Sequence, residues 1–318
     1  MRILVIGAVA AGTSAAAKAR RNDENAEIVI YEKDTDISYS GCGIPYYIGG
    51  EIKDVSELTP RDPIYFKKKY NIDVFTSFEV LKIDIQNKEL TVKNINTNEV
   101  FKDNYDKLVI ATGATAFVPK VTGVDKDNVF FIRNVQSARK VKNFIEKNKP
   151  QNAVIAGTGF IGFEMLESLM ANKINVIIIE KQSKITPNLD EDMATFLENE
   201  LIKKNITIIK NTSIAQIQDK KVILEDGKEI VSDMVIMATG VKPNIKLAKE
   251  AGIEIGVTGA IKVNKKMQTN IEGVYSCGDC IETFSTITGK PVYRPLGSTA
   301  NKTGRIAGDV LKIGRAHV

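Results

Sequence analysis

Ala153-Val-Ile-Ala-Gly157-Thr-Gly159-Phe-Ile-Gly162 is a short apolar run that ends in three glycines spaced G-x-G-x-x-G. The apolar run reads as a buried strand, and the residues beyond it as a helix reaching about Asn172. A second strand, Asn175 to Ile179, ends on Glu180. Glycines placed this way let the chain turn tightly, bring its backbone close to a ligand and pack helix on strand. The helix start that they open offers unpaired N–H groups and partial positive charge to a pyrophosphate. An acidic residue ending the second strand accepts hydrogen bonds from ribose hydroxyls. Gly157, Gly159, Gly162 and Glu180 therefore predict a βαβ unit that binds a dinucleotide, and Phe160 and Ile161 inside the loop and Gly240 at the end of the closing strand are counted with them as candidate binding residues. Glu180 repels a 2′-phosphate and favours NADH, while the neighbouring Lys181 and Lys184 leave NADPH open.

The same order of features stands at the start of the chain. The strand Arg2-Ile-Leu-Val-Ile leads into Gly7-Ala8-Val9-Ala-Ala-Gly12, then an Ala-rich helix from Thr13 to Arg21, then a strand from Glu27 that ends on Glu32. Val9 replaces the middle glycine, so a unit of this shape that binds nothing is the alternative reading. Each unit has a matching closing strand, Lys107-Leu-Val-Ile-Ala-Thr-Gly113 and Met234-Val-Ile-Met-Ala-Thr-Gly240. Two βαβ units with helical crossovers predict an α/β protein with parallel sheets. Two nucleotide sites on one chain suggest a resident flavin and a donor nicotinamide. Between Phe78 and Val100, alternating strands around an Asn-rich turn predict a small antiparallel meander. Lys147-Asn-Lys-Pro150 reads as a surface crossing into the second unit.

Composition narrows the chemistry. The 318 residues suggest about two domains. A hydrophobic fraction of 43% beside 26% charged residues is enough to build cores of ordinary size. The single histidine, His317, leaves no internal imidazole for a metal site or a Ser-His-Asp triad. Three cysteines cannot scaffold a chain of this length with disulfides. No apolar run reaches the roughly 18–20 residues of a membrane span, and Gly7 and Gly12 break any signal-peptide pattern. The net charge of +5 comes without a basic block interleaved with aromatics, which argues against nucleic acid. These counts point to a soluble, cytoplasmic protein whose partners are small molecules rather than nucleic acid or membrane, with no metal.

Cys42 lies in Ser38-Tyr-Ser-Gly-Cys42-Gly-Ile-Pro-Tyr-Tyr-Ile-Gly-Gly50. A cysteine just ahead of a helix start has its thiolate favoured; the alternative is a buried structural cysteine. Cys277-Gly-Asp-Cys280 is a C-x-x-C and invites a thioredoxin-like reading. In low-molecular-weight thioredoxin reductases, however, the pair lies between the two A-T-G strands, and residues 114–237 of this chain contain no cysteine.

Taken together and in this order, the motifs resemble the flavoprotein disulfide reductases with two dinucleotide-binding domains, glutathione-reductase-like in fold with a meander in each. The similarity is to their single-cysteine branch: coenzyme A disulfide reductases, NAD(P)H persulfide reductases and NADH oxidases. It rests on both glycine loops, both A-T-G strands, the segment around Cys42, Gly273-Val-Tyr-Ser-Cys-Gly278-Asp279 and Pro295-Leu-Gly-Ser-Thr-Ala-Asn301. The resemblance implies FAD held by Gly7, Ala8, Gly12, Glu32, Lys33, Val80, Thr112, Gly113, Asp279 and Ala300. It implies NADH, with NADPH as the alternative, on the second loop, where Phe160 replaces a tyrosine common in relatives. Ser14, Lys18, Arg21, Ser38 and Asn301 match positions that contact coenzyme A, although Lys18 and Arg21 read equally well as a solvated helix face.

Dithiol members of this superfamily use C-x-x-x-x-C, and the residue five beyond Cys42 is Tyr47. The resemblance therefore implies that Cys42 cycles with an external sulfur or with oxygen, as a mixed disulfide, a persulfide or a sulfenic acid. The expected activity is reduction of coenzyme A disulfide or a related persulfide. An NADH oxidase is one alternative, and a non-catalytic nucleotide-binding fragment or redox sensor another. The expected domains are residues 1–115 and 244–312 for FAD and 116–243 for NAD(P). Residues 313–318 read as a non-native tail standing where relatives continue into a dimerisation domain, so a homodimer is expected of the full-length protein; a true short terminus is the alternative.

Overall fold

The computed structural model describes residues 1–187 and 189–311. The expectations for residues 313–318, His317 among them, fall outside the described residues. The chain divides into two compact units. One comprises Met1–Tyr39, Thr59–Thr115 and the chain from Pro243 on; the other comprises Ser40–Leu58 and Ala116–Lys242. Sequence continuity alone would group Ser40–Leu58, which carries Cys42, with residues 1–115.

In the first unit a parallel sheet runs in the order Val274–Ser276, Lys107–Ile110, Arg2–Ile6, Glu27–Glu32, Asp73–Thr76. Its central strands are apolar runs buried on both faces, with Ile3, Leu4, Val5, Leu108 and Ile110 fully buried, whereas the edge strand Asp73–Thr76 is partly exposed. Arg2–Ile6 lies between its sequence neighbour Glu27–Glu32 and Lys107–Ile110, which returns from far along the chain. The strand order reverses there, opening a crevice at the carboxyl ends where ligands of such sheets bind. The first glycine loop leaves the sheet at that point.

Helix Ala10–Asn22 follows this loop and packs lengthwise on helix Gly297–Val310. Small residues permit the approach. A Cβ on Gly304 would strike the Ala11 carbonyl oxygen, and one on Gly308 the Ala15 carbonyl oxygen. Strands Phe78–Asp84, Glu89–Asn94 and Val100–Asn104 form the antiparallel meander. Tyr31 and Phe75 from the parallel sheet stack with ring centroids 5.7 Å apart, and Phe78 and Phe101 from the meander complete the aromatic cluster. The Tyr31 hydroxyl donates to Asp103 at 2.7 Å, and burial together with that carboxylate drives its pKa far above the ordinary phenol value.

The second unit repeats the plan. Its parallel sheet runs Thr207–Ile209, Asn175–Ile179, Asn152–Ala156, Met234–Met237, Val129–Phe130. A second antiparallel meander is formed by Ile214–Ile217, Lys221–Leu224 and Glu229–Val231. Helix Val135–Asn148 begins with a capping box between Asn134 and Ser137, which satisfies donors at its first turn. The expected α/β architecture, with two parallel-sheet units and a meander in each, is thus the one observed. No described helix is long and apolar enough to cross a membrane.

Candidate active site

The two glycine loops are built alike. Gly7 and Gly157 have φ of +104° and +105°, a conformation open to glycine but strained for other residues. A Cβ on Gly12 would collide with the Gly7 carbonyl, and one on Gly162 with the Gly157 carbonyl. These four glycines therefore let each helix start directly against its strand. Helix Ala10–Asn22 opens at Val9 and helix Phe160–Ala171 at Gly159, neither with a side-chain cap or an acidic residue in the first turn. Helices Val135–Asn148 and Pro63–Tyr70, by contrast, are capped by Asn134 and Asp62. A Cβ on Gly159 would meet nothing within 4 Å, so space lies open at that helix start. An uncapped first turn suits a bound pyrophosphate, and the second loop adds open space beside it, so the residues present fit a dinucleotide.

The acidic residues at the strand ends brace the loops. Glu32 accepts the Ala8 N–H at 2.7 Å on one oxygen and the Asp34 N–H at 2.9 Å on the other. Glu180 accepts the Thr158 N–H at 3.0 Å and the Gln182 N–H at 2.8 Å in the same pattern. Both side chains are buried. Burial raises the Glu32 pKa above the usual carboxylate value, although its two backbone N–H bonds pull the other way. Each carboxylate retains acceptor capacity for a ribose hydroxyl on at least one oxygen.

Cys42 lies in the single turn Gly41–Gly43, directly ahead of the short helix Ile44–Gly49, and is exposed. That helix is held by other residues of its own unit, the second. Ser168 donates its hydroxyl to the Pro45 carbonyl at 2.8 Å, and Asn172 donates to the Ile48 carbonyl at 3.0 Å. Lys142 donates to the Tyr47 carbonyl at 3.2 Å, its ammonium 4.0 Å from the centroid of the Tyr47 ring. Cys277 and Cys280 are fully buried, and burial pushes both thiols above their ordinary pKa. The Cys280 sulfur rests 3.3 Å from the Cys277 carbonyl oxygen and 3.4 Å from the Ser276 hydroxyl, as a packed core residue does.

The remaining candidates distribute as follows. In the first unit, Ala8, Val80 and Ala300 are buried and Lys33 is exposed. Thr112 donates to the Asn244 carbonyl at 2.7 Å, Gly113 has φ of +66°, and Asp279 sits half-buried between the two core cysteines. Asn301 donates to the Ser14 hydroxyl at 3.0 Å, Lys18 pairs with Asp309 at 2.9 Å, and Arg21 is exposed. Ser38 takes φ of +47°, and its N–H donates to the Ala8 carbonyl at 2.8 Å. In the second unit, Phe160 is 71% exposed at the helix start, Ile161 follows it half-buried, and Gly240 is exposed. Thr158, Ser168, Asn172 and Lys142 escaped the sequence reading. The one signal for any of them was the hydroxyl of Thr158 at the loop position where the first unit carries Ala8.

Residues 1–299 match the sequence pattern of the pyridine nucleotide-disulphide oxidoreductases. The chain belongs to that family. Among its relatives, the NADH oxidase of Methanocaldococcus jannaschii is 39% identical over 312 residues, covering 97% of this chain and 69% of the relative. The coenzyme A disulfide reductase of Staphylococcus haemolyticus is 33% identical over 310 residues, covering 98% of this chain and 70% of the relative. The solved NAD-dependent persulfide reductase from A. fulgidus superposes with a TM-score of 0.95 at 38% identity. That match covers 99% of this chain but 60% of the solved one.

Proposed function

We propose that this chain carries the FAD-binding, NAD(P)H-binding and cysteine-bearing part of an oxidoreductase that reduces coenzyme A disulfide or a low-molecular-weight persulfide. The carrying observation is one exposed thiol, Cys42, with Tyr47 where a dithiol enzyme has its second cysteine, on a chain with two braced glycine loops. In this reading Gly7, Ala8, Gly12, Glu32, Lys33, Val80, Thr112, Gly113, Asp279 and Ala300 hold FAD. Gly157, Gly159, Phe160, Ile161, Gly162, Glu180 and Gly240 hold the nicotinamide dinucleotide. Bound FAD and NAD(P)H supply the hydride and electron-pair chemistry that ends on sulfur.

The Cys42 sulfur, as thiolate, attacks one sulfur of the substrate. The substrate S–S bond breaks, a mixed disulfide forms on Cys42 and one thiolate leaves. Two electrons and one proton then restore the Cys42 thiolate and release the second thiol. Lys18 and Arg21, with Ser14, Ser38 and Asn301, supply cations and hydrogen-bond partners suited to the phosphates and polar groups of coenzyme A. Lys18 must then share its ammonium with Asp309. The full-length protein is proposed to be a cytoplasmic homodimer.

The test is anaerobic oxidation of NADH by flavin-loaded protein, with and without coenzyme A disulfide, in wild type and Cys42→Ser. Equal disulfide-dependent rates in the two proteins would overturn the cysteine mechanism. The likeness to an NADH oxidase favours a second reading, with oxygen as acceptor and Cys42 cycling through sulfenic acid. Oxygen uptake at saturating NADH, exceeding any disulfide-dependent rate, would select it.

A further inference from the structure

The two glycine loops differ at one position. In the first, the residue after the leading glycine is Ala8, which offers Glu32 its backbone N–H and nothing more. In the second it is Thr158, 1% exposed, whose N–H and hydroxyl both donate to the same oxygen of Glu180. The Thr158 oxygen in turn accepts the N–H of Thr186 at 3.1 Å. One side chain therefore ties together the glycine loop, the acidic strand end and the segment that follows it. That segment carries Lys181 and Lys184, and the Lys184 ammonium is held by the Leu189 carbonyl at 2.6 Å.

The geometry points to Thr158 as the positioning residue that sets nucleotide selectivity, holding Glu180 so that a dinucleotide with a free 2′-hydroxyl is accepted and a 2′-phosphate is excluded. The inference rests on the proposed nucleotide-binding reading of this loop and deepens it. A carboxylate fixed by two donors on one oxygen and one on the other cannot rotate away from an incoming phosphate. The oxygen that takes only the Gln182 N–H keeps a lone pair free for a hydroxyl donor. Without the Thr158 hydroxyl, Glu180 loses the one side-chain donor it has among the described residues and the Thr186 N–H loses its acceptor. The carboxylate can then swing aside, which weakens its bonds to ribose hydroxyls and relieves its repulsion of a 2′-phosphate. The two effects move the affinities for NADH and NADPH in opposite directions, which a general loosening of the loop would not do.

The experiment is calorimetric titration of FAD-loaded protein with NADH and with NADPH, in wild type, Thr158→Ala and Thr158→Ser. Alanine suits the backbone, because Ala8 occupies the equivalent position of the first loop, and far-ultraviolet circular dichroism reports whether each variant is folded. Wild type is expected to prefer NADH. In Thr158→Ala the ratio of the two dissociation constants is expected to fall about tenfold, in line with the loss of one hydrogen bond to a charged group. Thr158→Ser keeps the hydroxyl and is expected to keep the ratio within about twofold. An unchanged ratio in a folded Thr158→Ala protein that binds NADH would overturn the assignment of Thr158 and leave the nucleotide-binding reading intact. Should Thr158→Ala fail to fold, a collapsed ratio in Thr158→Ser would overturn it equally. Wild type that binds neither nucleotide would overturn both.

Discussion

Ser168 donates its hydroxyl to the Pro45 carbonyl at 2.8 Å, joining residues 123 positions apart. The two segments are tightly apposed, since a Cβ added to Gly49 would lie 3.4 Å from the Ser168 Cα. The helix Ile44–Gly49 has six residues, far fewer than a helix needs to persist unaided in water. Its shape is imposed by the residues that take its carbonyls, namely Ser168, Asn172 and Lys142. Cys42 owes its placement to this clamp, because its turn runs directly into that helix.

Ser168→Ala is therefore expected to lower unfolding stability by about 1–3 kcal/mol, the cost of leaving a buried acceptor without its partner. It should also change the rate at which Cys42 reacts with iodoacetamide, since the turn before the helix loses its fixed end. Denaturant unfolding and timed alkylation check the two effects separately. Ser168→Thr, which retains a hydroxyl, should recover part of the stability.

The three cysteines should separate cleanly by reactivity. Cys42 is exposed, whereas Cys277 and Cys280 are fully buried with thiols pushed toward the protonated form. The thiolate is the nucleophile, so burial and protonation act in the same direction. Mass spectrometry after alkylation near pH 8 should show a single modified site in the native protein, at Cys42. The unfolded protein should show all three. Modification of Cys277 or Cys280 under native conditions would revive a redox role for the C-x-x-C.

Gly308→Ala tests the helix contact behind the first loop. An exposed helix would gain about 1 kcal/mol from that change. Here the new Cβ would strike the Ala15 carbonyl and lie 2.9 Å from the Lys18 Cβ. Backbone cannot move aside as a flexible side chain can, and overpacking of this kind costs about 1–3 kcal/mol. The clash should win, giving a net loss on the order of 1–2 kcal/mol in urea unfolding together with weaker retention of FAD. A stability gain would show that the two helices can separate freely.

What the sequence revealed and what it hid follow from the range of the interactions. Gly7, Gly157 and the acids that brace their loops are read locally, because backbone turns and period-2 or period-3.6 patterns are properties of a few adjacent residues. The support of Cys42 by Ser168, Asn172 and Lys142 was invisible, because each contact spans roughly 95 residues or more and none of those side chains lies in a motif. Lys18 shows the same limit. Its place on the helix was evident, but its partner Asp309 lies on the last described helix, so an ion pair could not be told from a waiting substrate contact.

Tyr105 provides a pH-dependent test. It is 5% exposed, and its hydroxyl finds no hydrogen-bond partner among the described residues. A buried hydroxyl without a partner carries a desolvation cost, so Tyr105→Phe should raise stability at neutral pH by about 1 kcal/mol. Burial and the nearby Asp84 carboxylate push this phenol from its ordinary 10.0 up to about 12. In the folded protein the proton is therefore held more tightly than in the unfolded chain. Between pH 10 and 12 the unfolded chain ionises first, so the stability contributed by the neutral phenol is present below pH 10 and lost as pH rises toward 12. Phenylalanine cannot ionise and lacks that loss. The stability difference between variant and wild type should therefore widen from pH 9 upward, by on the order of 1–2 kcal/mol at the alkaline end. Urea unfolding of both proteins across that range measures it, and a difference that stays flat would show that Tyr105 ionises equally easily folded and unfolded.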